Sequence, residues 1–171
     1  QAAIGLAQLK RLEQETVKRG ENAAYLSSLI KDIPGITPYR LYESVTRAAF
    51  HLFPFRYDKE AFNGLSRTVF LEALNAEGIN SSGGYTPLNT MPYLDNAFKS
   101  KNFKLMYPPE MLDYKKYLKK NQCPMTDKLC NEEGIWLYQN MLLNEKSDMD
   151  DIATAIAKIQ RYSGDIKKAK G

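Results

Sequence analysis

Apolar residues recur at helical intervals from the first positions of the chain: Ile4, Leu6, Leu9, Leu12 and Val17, then Ala24, Leu26, Leu29 and Ile30, with charges between them. Gly20 is a soft point, but Lys18, Arg19, Glu21 and Asn22 around it are compatible with a helix. The pattern predicts one long helix to about Asp32, stopped by Pro34-Gly35. Its periodicity is already running at residue 1, with no Ser, Thr, Asp or Asn cap before it. We therefore expect the chain to be a piece of a longer protein.

Residues 39 to 57 change character. Tyr39, Leu41, Tyr42, Val45 and Thr46, then Phe50, Leu52, Phe53, Phe55 and Tyr57, predict two strands with a turn near Glu43 to Arg47. Pro54 is expected at an edge or strand end. Ser66 is a candidate N-cap for a helix with Val69, Phe70, Ala73 and Leu74 on its apolar face, and Gly78 stands where a terminating glycine belongs. Ile79 is expected to open a short strand.

Ser81-Ser82-Gly83-Gly84 reads as a flexible turn and Tyr85-Thr86-Pro87-Leu88-Asn89 as a constrained loop. A Lys- and Tyr-rich insertion over 98–122 comes next, holding Pro108-Pro109 and a short helix from Glu110 to Lys120. Met125 to Glu133 suits a short helix and Ile135-Trp136-Leu137 a buried strand. Ser147 is placed to cap a last helix, with Asp148, Asp150 and Asp151 in its first turn and Ile152, Ile156 and Ile159 as its buried stripe. The sum is an α+β domain, a small and mainly antiparallel sheet packed with helices.

Composition narrows the classes without choosing among them. The 171 residues suffice for one domain, and 43% hydrophobic with 26% charged residues is ordinary for a globular chain. No apolar run is long enough to span a bilayer and the start lacks a signal-peptide pattern, so a cytoplasmic location is expected and no membrane partner. The net charge of +4 is mild but gathered, with seven lysines between Lys99 and Lys120. A solvated basic face is the favoured reading of that cluster. The alternative is a stand-alone interaction or nucleic-acid-binding module built on the Lys/Tyr segment.

Candidate chemistry is thin. Cys123 and Cys130 have neither a CxxC nor a zinc spacing, and reduced structural thiols fit them best. His51, the only histidine, sits in the apolar run Phe50-His51-Leu52-Phe53 and reads as structural, so no nucleophile–base pair assembles. Ser81–Gly84 lacks the spacing of a phosphate-binding loop, and helix capping accounts for the aspartates near 150. No residue is put forward as catalytic, cofactor-binding or metal-binding.

Five pieces in order carry a resemblance over nearly the whole chain. They are Gln1-Ala2-Ala3-Ile4-Gly5-Leu6-Ala7-Gln8-Leu9, Phe50-His51-Leu52-Phe53-Pro54-Phe55, the Ser66-Arg67 helix ending Ala76-Glu77-Gly78-Ile79, Gly84-Tyr85-Thr86-Pro87-Leu88-Asn89, and the closing run from Cys123-Pro124 through Trp136-Leu137 and Leu142-Leu143 to Asp148-Met149-Asp150-Asp151-Ile152. Together they resemble the C-terminal part of the DegT/DnrJ/EryC1/StrS aminotransferases. The wording is closest to the branch acting on cyclitols and aminohydroxybenzoate precursors.

The resemblance implies that residues 1–171 are the small C-terminal domain of a fold-type-I enzyme, with 1–32 as the helix linking it to an absent cofactor domain. It also implies a lysine holding pyridoxal phosphate as a Schiff base, a glutamine or glutamate donor, a keto-sugar or ketocyclitol acceptor, and a homodimer. The Schiff-base lysine and phosphate ligands belong to the absent domain, so this chain is expected to be inactive alone. A relative that has lost that lysine and become a dehydratase or regulator is the remaining alternative. Tyr85 and Asn89 match the family's substrate-facing loop. Asn89 stands where nucleotide-sugar members commonly carry histidine. Packing by Tyr85 and turn-capping by Asn89 are the competing structural roles.

Overall fold

The long amphipathic run forms α1 (Ala2–Ile30) in the computed structural model, which describes residues 1–170. Only its second half carries a buried face. Thr16, Arg19, Asn22, Ala23, Leu26 and Ile30 are buried, three or four residues apart as one helical stripe requires. Ile4, Leu6 and Leu9, expected on the apolar face, are 67%, 65% and 61% exposed, and Ala24 is exposed as well.

The described residues divide into two compact units, residues 1–83 together with those from Glu133 onward, and Gly84–Glu132. In the first unit four strands make one antiparallel sheet, β1 (Ile36–Pro38), β2 (Leu52–Tyr57), β3 (Ser81–Ser82) and β4 (Gly134–Tyr138), in the order β1-β2-β4-β3. Alternation along the central strands sends Phe53, Phe55, Tyr57, Ile135 and Leu137 to the buried face. Helices α2 (Arg67–Ala76) and α7 (Lys146–Lys170) complete that core with Phe70, Leu74, Ile152, Ile156 and Ile159, and α7 packs along α1.

Local chemistry sets the helix ends. The Ser66 hydroxyl accepts from the Val69 N–H at 3.3 Å, as expected of an N-cap. At the other end Gly78 takes φ +86°, its N–H donates to Asn75 O, and the Ile79 N–H reaches Leu74 O, the double bond of a Schellman motif. Helix α7 begins one residue before the expected cap. Ser147 lies inside its first turn, and the Asp148 carboxylate instead accepts from the Glu145 N–H at 2.9 Å.

Several expectations are corrected. Tyr39 to Val45 form no strand; the first strand lies earlier, at β1. Hydrogen bonding of the Asp58 N–H to Gly35 O draws Ile36 opposite Tyr57, and a turn closed by Val45 N–H to Tyr42 O interrupts the chain beyond β1. Phe50 takes φ +49°, which breaks the extended run, so β2 starts only at Leu52 and His51 sits exposed in the bend before it.

Pro54 lies inside central strand β2 rather than at its end. The β1 ladder stops at Pro38 opposite Phe55, so that side of the strand is an edge at Pro54. Ser81-Ser82 is not a turn but β3, paired with Leu137 and Trp136, while Ile79 lies just outside any strand.

The second unit is more helical than its sequence suggests. It holds α3 (Pro92–Lys99), α4 (Lys101–Met106), α5 (Tyr114–Lys120) and α6 (Pro124–Lys128), the last running into a π-helical turn at Leu129–Glu133. The short helix expected from Glu110 starts at Tyr114, capped by Asp113, whose carboxylate accepts from the Lys116 N–H at 3.0 Å.

Candidate functional site

The segment expected to face a substrate leaves the first unit at the end of β3. Helix α2 prepares that exit. The Asn75 side chain accepts from the Ser81 N–H at 3.0 Å and donates to Leu71 O at 2.8 Å, so the outer edge of the two-residue strand is held by a side chain in place of another strand. Beyond Gly83 and Gly84 the chain runs through Tyr85 to Pro87 and into a single 3-10 turn, Leu88–Thr90.

Asn89 sits half-buried in that turn, its amide donating to Asn121 O at 2.8 Å. It lines an open cleft of about 380 Å³ with Thr90, Leu118, Lys119, Gln122 and Asp127. Tyr85 is 59% exposed and does not belong to the wall of that cleft. The structure thus brings Asn89, but not Tyr85, to a concave surface with both donors and acceptors.

The lysines around the site are surface groups. Apart from half-buried Lys18, which pairs with Glu145 at 2.8 Å and holds that carboxyl below its ordinary range, every described lysine is exposed. A lysine that carries pyridoxal phosphate needs an enclosed pocket with partners for the phosphate and the ring. The residues present do not fit that group. Among the described residues no cluster of three His, Cys, Asp or Glu is placed to hold a metal ion, and no helix is long and apolar enough to cross a membrane.

The aromatic residues of the basic segment are already engaged. Within the second unit the Phe98 ring lies 5.0 Å from Tyr117, 5.5 Å from Tyr114 and 6.1 Å from Phe103, which in turn lies 5.3 Å from Tyr107. The tyrosines thus take part in a small aromatic cluster, where ring pairs are worth about 0.5–1.5 kcal/mol each.

Residues 1–107 match the model of the DegT/DnrJ/EryC1/StrS aminotransferase family. The chain belongs to this family. Across 99% of its length it is 29% identical to a putative L-glutamine:3-amino-2,3-dideoxy-scyllo-inosose aminotransferase of Micromonospora echinospora. It is 30% identical over 98% of its length to an L-glutamine:2-deoxy-scyllo-inosose aminotransferase of Streptoalloteichus tenebrarius. It spans only about 40% of the first of these relatives and 38% of the second.

Among solved structures, 3-amino-5-hydroxybenzoic acid synthase superposes with a TM-score of 0.64 over 90% of this chain and 36% of its own, at 24% identity. At that identity the likeness speaks for the fold. The α+β architecture read from the sequence of this DegT/DnrJ/EryC1/StrS member is thus shared with a solved relative.

Sequence reasoning missed the polar residues that shape the exit to the site. Arg67 donates to Gly83 O at 3.2 Å and Gly134 O at 2.9 Å. Arg56 forks onto Glu133, whose Oε2 accepts from Nη2 at 2.7 Å and from Nε at 2.9 Å. An arginine directly after the Ser66 cap, with a Gly-Gly pair sixteen residues on, was the available local signal.

Proposed function

We propose that this chain is the C-terminal part of a pyridoxal-phosphate-dependent aminotransferase that moves an amino group from glutamine or glutamate to a ketocyclitol or keto-sugar. The observation that carries this reading is the end-to-end match of the chain with two L-glutamine:inosose aminotransferases, of which it spans about two fifths. The cofactor supplies the carriage of the amino group. It is held outside these residues, by a domain whose surface covers the apolar first half of α1.

The residues of this chain contribute the wall on the acceptor side. Asn89, with Thr90 and Lys119 beside it, offers donors and acceptors to the ring hydroxyls, and Tyr85 closes over the substrate when the full protein is assembled. An amide at position 89 makes uncharged hydrogen bonds, which fits a neutral cyclitol better than a nucleotide diphosphate. A homodimer in the cytoplasm completes the reading, and the chain alone is inactive.

The test uses the full-length protein with pyridoxal phosphate. Its visible absorbance should bleach with glutamine and return with 2-deoxy-scyllo-inosose but not with a nucleotide-linked keto-sugar. Borohydride reduction followed by mass mapping should place the modified lysine outside residues 1–171. A protein that binds no cofactor and has no such lysine would sink the catalytic reading and leave a family scaffold put to another use.

A further inference from the structure

Residues 84–132 form a long excursion between two neighbouring antiparallel strands. The chain leaves the first unit after β3 and returns at β4, where Ser82 pairs with Trp136. One side chain holds both stems. The Arg67 guanidinium, at the first turn of α2, donates through Nη1 to Gly83 O on the outgoing stem and to Gly134 O on the returning one. A Cβ on Gly83 would lie 2.9 Å from Nη2 and 3.0 Å from Cζ, so a side chain there would push the guanidinium aside. Asn75, two turns further along α2, grips Ser81 through its N–H at 3.0 Å.

We propose that Arg67 is a positioning residue of this enzyme: by joining the Gly83 and Gly134 carbonyls it holds together the two stems between which the segment carrying the Tyr85–Asn89 loop runs. The reason is mechanical. Strand β3 has only two ladder residues, too short to hold the stem by its own pairing. The two N–H groups of a single Nη1, fixed in the guanidinium plane, bond carbonyls from separate segments and so hold those segments together. Arg67 itself lies outside the Asn89 cleft. It therefore acts on binding through the loop and contacts no reacting atom. The inference rests on the reading that Tyr85 and Asn89 face the acceptor.

The test compares Arg67→Met, Arg67→Lys and Gly83→Ala in the full-length, cofactor-loaded protein. Hydrogen exchange of residues 81–84 and 134–136 should accelerate about tenfold in Arg67→Met, as expected for the loss of roughly two ordinary hydrogen bonds, while exchange in the α7 core stays unchanged. KM for the keto acceptor should rise about tenfold with kcat within about threefold, and bleaching of the cofactor by glutamine should be unaffected. Arg67→Lys should fall between, and so should Gly83→Ala, which pushes the guanidinium aside without removing it.

Unchanged exchange at the two stems overturns the proposal. So does faster exchange throughout the fold with an unaltered acceptor KM, the mark of a merely structural arginine, and so does local opening that leaves KM untouched. If the unmutated protein transfers no amino group, the functional reading has failed, and the stem exchange alone then decides whether Arg67 is a clamp.

Discussion

The two units solve the problem of folding with different means. All twenty buried hydrophobic side chains of the core lie in the first unit, from Ala23 to Ile159. Of residues 84–132 only Pro87 is buried, and cohesion there rests on half-exposed aromatic rings, helix caps at Ser100 and Asp113, and lysines in water. Burial of apolar area is the dominant favourable term of folding, about 25 cal/mol per Å². The first unit therefore draws its cohesion from a buried apolar core and the second from ring contacts and caps near its surface.

Matched truncations test that contrast most severely. Phe70 packs its ring 4.6 Å from Tyr57 and 5.3 Å from Phe62 with no exposed surface, so Phe70→Ala should cost about 3–5 kcal/mol in urea unfolding. Phe98→Ala removes the hub of the aromatic cluster in the second unit and should cost about 1 kcal/mol, registered in that unit alone. Equal costs, or a shift of the main transition by Phe98→Ala, would mean that the thinly buried unit shares the core of the other.

Tyr57 gives a pH-dependent version of the test. Its hydroxyl donates to Leu65 O at 2.8 Å from a site 1% exposed, and burial, aided by the Asp58 charge, pushes its phenol well above the ordinary value near 10. The raised group keeps its proton in the fold at a pH where the unfolded chain has lost it. Its contribution is complete below about pH 10 and is lost as the pH rises further, by up to about 1.4 kcal/mol per unit. Tyr57→Phe should lower stability at pH 7 by about 1–2 kcal/mol, because Leu65 O loses its partner, and should flatten the alkaline limb. Tyr39, raised by burial, and Tyr25, raised by its hydrogen bond to Asp150, keep part of that slope. An unchanged slope between pH 10 and 11 would show that Tyr57 ionises equally in both states.

What the sequence revealed tracked the range of the forces involved. The Ser66 cap, the Gly78 terminus and the isoleucine stripe of α7 are settled within one or two turns, and the periodicity displays them. Tyr39 to Val45 misled because β-forming residues also serve as lids on irregular backbone. The Tyr39 ring stands edge-on to Phe50 at 5.1 Å and Phe53 at 5.3 Å, a role that composition cannot separate from strand pairing.

The apolar first half of α1 was read as helix, and its exposure shows that a pattern marks which face wants burial and not what provides it. At the site, the Tyr85–Asn89 loop was recognisable as a string of residues. The Arg67 clamp was not, because it joins positions 67, 83 and 134 with no spacing in common.

The smallest expected effect concerns the charges that make the second unit stand out in the sequence. Lys115, Lys116, Lys119 and Lys120 are exposed along α5, and no ion pair joins any of them to a carboxylate among the described residues. Four like charges on two helical turns repel by a few tenths of a kcal/mol per pair, offset by the favourable placement of Lys119 and Lys120 in the last turn. Changing all four to glutamine should therefore leave the stability of either unit within about 0.5 kcal/mol and reduce its dependence on salt. Single-stranded nucleic acid should bind neither form with a salt-dependent affinity, because the rings that would stack bases are held by Phe98. Tight binding by the unmodified chain that collapses in the glutamine variant would turn the comparison around, making the loosely built unit the functional surface in its own right and the well-packed one its support.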